Sequence, residues 1–139
     1  MLIDGTSPTS FVREPSVDPT WSPDGRFVVY SDPDIGTTFS LKAVTAEAAS
    51  HLLPALTLTR GARHLAFVTG GWTLVFLRGE IQHEDLWLMD LKTGAARQLT
   101  SLPTDFDVHD FDISLDGREV VLEREQECSN VVLVDLPPK

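Results

Sequence analysis

Apolar positions in this chain fall in short runs such as FVVYS (27–31) and TLVFL (73–77), and Pro, Gly, Asp and Ser fill the gaps between them. Val, Leu, Phe and Tyr dominate the runs, which are too short for helices and read as strands. The longest stretch with helical character is TAEAASHLL (45–53), which is Ala-rich and stops at Pro54. It reads as a loop or a single helical turn.

The runs repeat. TWSPDGRFVVYS (20–31) has a counterpart 46 residues on, AFVTGGWTLVFL (66–77), and another 46 further, DISLDGREVVLE (112–123). Without a gap, Trp21 aligns with Phe67 and Ile113, and Gly25 with Gly71 and Gly117. Val28, Leu74 and Val120 form the next apolar column, followed by Val29, Val75 and Val121, then Tyr30, Phe76 and Leu122. The second half of the unit repeats less closely: DLWLMDLKTGAARQLT (85–100) answers to FSLKAVTAEAASHLLP (39–54), which has lost the turn glycine. NVVLVDLPPK (130–139) stops after one strand, and LIDGTSPTSFV (2–12) resembles the end of a preceding unit. The expected division is a remnant or closing strand at 1–16, full units at 17–62 and 63–107, and an incomplete one at 108–139.

Four short strands in a unit of 40–50 residues are the signature of a β-propeller blade. The fold expected is all-β, with about three four-stranded antiparallel blades forming part or half of a propeller. Ser22-Pro23-Asp24-Gly25 is a turn in which proline pre-sets φ and glycine supplies a positive one. It should join the inner two strands of a blade, with Trp21 packed between adjacent blades. The third copy has Ser114 where the first has Ser22, so these serines read as turn residues and not as nucleophiles.

DPTWSPDGRFVVYS, DLWLMDLKTGAARQLT and FDISLDGREVVL resemble the TolB-like, WD-type propeller repeat over about residues 2–136, although Ile113 and Leu115 replace the repeat's Trp and Pro. The resemblance implies a non-catalytic scaffold that binds proteins or peptides at the channel face, and a periplasmic setting. The alternative is the propeller segment of a larger bacterial sensor or regulator, or of a prolyl-oligopeptidase-type peptidase. Family propellers have six or more blades, whereas this chain holds about three. Either it is a piece of a longer propeller or two copies close a six-bladed ring, with SFV (10–12) supplying the missing outer strand of a neighbour.

Charge narrows the partners. Eleven Lys and Arg against 21 Asp and Glu leave a net charge of −10, which disfavours nucleic acid. No apolar run is long enough for a transmembrane helix, and the N-terminus has no basic region followed by an apolar one. A single cysteine, Cys128, excludes an internal disulfide and a Cys-based zinc cage.

Catalytic motifs are missing: the sequence has no G-x-S-x-G, H-E-x-x-H, P-loop or G-x-G-x-x-G. No enzyme activity and no cofactor are expected, with calcium as the one ion to weigh. TDFDVHDFD (104–112) offers Asp105, Asp107, His109, Asp110 and Asp112 as weak metal candidates against capping in a loop before an inner strand. The repeat gives a narrower set. Asp18, His64 and Asp110 stand 46 apart, each just before an inner strand, and would converge at a channel mouth. There they could bind a cation or a basic peptide. Arg60, Arg63 and Arg78 read as a solvated basic face.

Overall fold

The computed structural model describes residues 10, 12–33, 35–50, 53–59, 61–80, 83–104 and 106–126. The 130–139 strand, Asp105 and Cys128 therefore lie outside the described residues. Among the described residues there are ten strands and no helix. The first sheet takes β1 (Val17–Trp21), β2 (Phe27–Ser31), β3 (Thr38–Thr45) and β4 (Leu56–Thr59). The second takes β5 (Arg63–Phe67), β6 (Thr73–Glu80), β7 (His83–Asp90) and β8 (Ala96–Gln98). The third pairs β9 (Asp107–Ile113) with β10 (Val120–Glu125). All pairings are antiparallel between consecutive strands, and no sheet closes on itself.

The 46-residue period is written into the register. Trp21 pairs with Val28, Phe67 with Leu74 and Ile113 with Val120. Each joining turn is closed by the same backbone bonds: Gly25 N–H to Ser22 O, Gly71 N–H to Val68 O, and Gly117 N–H to Ser114 O. The three glycines have φ of 69°, 74° and 70°, a region that side chains with a Cβ rarely adopt. In the first and third turns the serine also works alike. Ser22 Oγ donates to Asp24 Oδ1 at 2.7 Å and accepts from Phe27 N–H, while Ser114 Oγ donates to Asp116 Oδ1 at 2.7 Å and accepts from Glu119 N–H. These bonds, with the Arg26 and Arg118 amides next in weight, hold both carboxyls below their ordinary value of 3.8. The carboxylate form is thus favoured by folding, and that contribution is lost as pH falls through the depressed value. Ser22→Ala is expected to return the Asp24 pKa toward 3.8 and leave Asp116 unchanged, as read by NMR titration of the two carboxyls.

Two apolar layers stack the sheets. Phe27, Val29, Phe39 and Leu41 of the first sheet meet Leu74, Phe76 and Met89 of the second, and Phe27 and Phe67 lie edge to face at 5.8 Å. On the other side of the second sheet, Val75, Leu77 and Leu86 meet Val108, Phe111 and Leu122 of the third. Strand alternation explains the division: Leu74 and Phe76 point one way from β6, and Val75 and Leu77 the other. Of the 45–53 stretch, residues 45–50 take the loop alternative and not the helical turn, and residues 51 and 52 lie outside the described residues. Thr45 ends β3, the chain turns at 46–48, and Ser50 bridges back to Val44. The Thr45 hydroxyl accepts from the Glu47 and Ala49 amides, which favours the turn over helix propagation.

Candidate functional site

The first strands of the three sheets are neighbours, β1 beside β5 and β5 beside β9. Each carries a bulge near its start: the register slips between Val17 and Thr20, between Arg63 and Leu65, and between Val108 and Asp110. At the first two bulges Asp18 and His64 adopt φ of 51° and 52°. Non-glycine residues enter this left-handed region at a cost of about 1–2 kcal/mol each. Bulges re-aim side chains that regular alternation would send to opposite faces. At the third bulge His109 and Asp110 are both exposed on consecutive positions.

Asp18, His64 and Asp110 lie within the first strands, at their bulges, rather than just before them, and the set comes together in part. His64 Nδ1 lies 3.2 Å from Asp110 Oδ1, joining the second sheet to the third. Asp18 contributes at longer range, through its charge on Arg63. The TDFDVHDFD stretch is a strand from Asp107 onward rather than a loop leading into one. Within it, His109 Nε2 sits 2.6 Å from Glu125 Oε2 across the β9–β10 pair, and Asp112 Oδ1 accepts from the Ile113 amide. Asp107 stands at the strand's start, facing Glu125 in register. Among the described residues, no group of three or more His, Cys, Asp or Glu side chains is placed to hold a metal ion. Among the same residues, no helix is long and apolar enough to cross a membrane.

Arg63 is the residue that sequence reasoning missed. Its guanidinium is not a solvated face but a tie between sheets. Nε donates to Glu84 Oε1 at 2.9 Å and Nη2 to Glu84 Oε2, a two-pronged pair to a carboxylate only 4% exposed. Nη2 also donates to the Val108 carbonyl at 2.7 Å, and Nη1 to the His109 carbonyl at 3.3 Å. The hydrogen bonds to Glu84, followed by its charge and those of Asp107 and Asp18, push the Arg63 pKa further above its ordinary value. The guanidinium therefore stays charged at any pH at which the fold survives. Glu84, Asp107 and Asp18 act on Arg63 itself, while Asp110 and Glu125 pair with the imidazoles of His64 and His109 on the neighbouring strands.

The structural repeat residues divide by exposure. Phe67 and Ile113 pack against the layers between sheets, whereas Trp21 is 53% exposed. With Val28, Tyr30, Val44 and Val12 it lines a groove of about 500 Å³ on the side of the first sheet away from the second. Compared with known proteins, the chain matches no family model and no curated protein.

Proposed function

We propose that the three sheets are blades of a β-propeller and that the chain is a non-catalytic scaffold binding protein or peptide where its inner strands begin. The carrying observation is that Asp18, His64 and Asp110 occupy one repeat position on adjacent strands, two of them on strained backbone. Residues held in sparsely populated backbone regions cluster at binding and active sites, which supports this reading. The carboxylates around Arg63 make this region a surface for a cationic segment, with the His64–Asp110 pair as its fixed point. Its likeness to the TolB-like repeat supports the same class of function. The ring dimer follows from this reading, since two copies of three blades make six. A propeller segment of a larger protein is the second reading, favoured by the uncovered apolar groove beside Trp21.

A short Lys- and Arg-rich peptide titrated into isotope-labelled protein is expected to shift resonances at the starts of β1, β5 and β9. Asp18→Asn with Asp110→Asn should weaken binding about five- to tenfold, as two charge contacts at a solvated surface predict. Shifts confined to other strands, or affinity unchanged in the double variant, would remove this surface from consideration.

A further inference from the structure

The second sheet meets the third through contacts between positions one repeat apart. Thr69 Oγ1 donates to the Leu115 carbonyl at 3.2 Å, Arg63 to the His109 carbonyl, and His64 pairs with Asp110, all one repeat apart. The hairpin turns stack by that step too. A Cβ placed on Gly71 would meet Pro23 Cδ at 3.5 Å, and one on Gly117 would meet Thr69 Oγ1 at 2.8 Å. Pro23, Thr69 and Leu115 are one repeat position, so each turn seats that residue over the glycine of the next turn.

Among the described residues two places in the series are unfilled: none lies within 4 Å of a Cβ on Gly25, and Leu115 is fully exposed. The sheet faces follow suit. Val29 and Val75 are 0% and 1% exposed beneath the following sheet, while Val121, the same position in the third, is 72% exposed. At the other end Leu74 is 1% exposed against the preceding sheet, while Val28 and Trp21 line the open groove.

We infer that a second copy of this chain docks head to tail, with Leu115 of one copy over Gly25 of the other and Val121 against the Trp21–Val28 groove. This rests on the reading of the sheets as one repeating stack. Each seam joins different patches of the two copies, and the second seam repeats the first with the copies exchanged, so the pair closes about a two-fold axis. The same step sets Asp110 of one copy near Asp18 of the other. Salt screens such like-charged neighbours: the screening length falls from about 10 Å at about 0.1 M to about 3 Å at about 1 M. Association should therefore tighten with salt.

Sedimentation velocity on the full chain is expected to give twice the 15.3 kDa chain mass. Leu115→Arg and Val121→Arg should each return it to the monomer with unchanged circular dichroism and melting. In a Cys128→Ser background, Pro23→Cys and Leu115→Cys chains treated with a short bifunctional maleimide should cross-link when mixed, and neither should cross-link alone. A monomer at every concentration, a dimer indifferent to both arginines, loosening with salt, or cross-linking of Leu115→Cys chains with one another would each overturn the inference. A monomer that still binds the cationic peptide would leave the proposed function standing. A dimer that binds no such peptide would remove that function and keep the docking.

Discussion

Phe76→Ala is expected to destabilise the chain by about 4 kcal/mol, a large share of what a domain of this size has to lose. β6 is the strand on which both apolar layers depend. Leu74, Val75, Phe76 and Leu77 are all 2% exposed or less, with alternate residues serving opposite sides. Phe76 lies in the layer that joins the second sheet to the first, among Leu74, Met89 and the first sheet's Phe39 and Leu41. Removing its ring leaves a void between two rigid sheets, which cannot collapse fully to fill it. Urea unfolding at protein concentrations low enough to suppress association measures the loss. The repeat supplies an internal control: Val75→Ala should cost about 2 kcal/mol from lost burial and cavity. Val121→Ala, at the same position one unit on, should stay within about 0.5 kcal/mol. Equal costs at both positions would mean that the third sheet's outer side is covered as the second's is.

The strand hairpins were legible because their requirement is local. A glycine with positive φ between two strand-forming runs is visible in one sequence, and its recurrence at 25, 71 and 117 sets the register of three strand pairs at once. The convergence of His64 on Asp110 was legible for the same reason, since equivalent positions in stacked units must be neighbours. Two things were not. The role of Trp21 depends on what covers it: the repeat says that this position packs between units, as Phe67 does, yet no described sheet precedes the first. Arg63 left no trace because its partners are not repeated. Its counterparts are Val17 and His109, and Glu84 lies 21 residues away on a different strand. A side chain whose work is to break the repeat is invisible to an analysis built on repetition.

Arg63→Met should cost about 3 kcal/mol, chiefly by stranding the Glu84 carboxylate where water barely reaches it. The lower end of the range for breaking a buried pair applies because the Arg63 side chain is itself 36% exposed. Two further losses belong to the third sheet. The Val108 and His109 carbonyls give up their guanidinium partner, so β9 should open more readily than β6 or β7. Hydrogen exchange at the amides of 107–113 would show this as a selective loss of protection. The double variant Arg63→Met/Glu84→Leu separates the two causes. It removes the carboxylate together with its partner, and well-packed apolar replacements of buried ion pairs are often neutral. Most of the global stability should then return, while β9 stays under-protected. A double variant as unstable as the single one would instead assign the whole cost to the carbonyl contacts, making Arg63 a clamp on the third sheet and Glu84 only its guide.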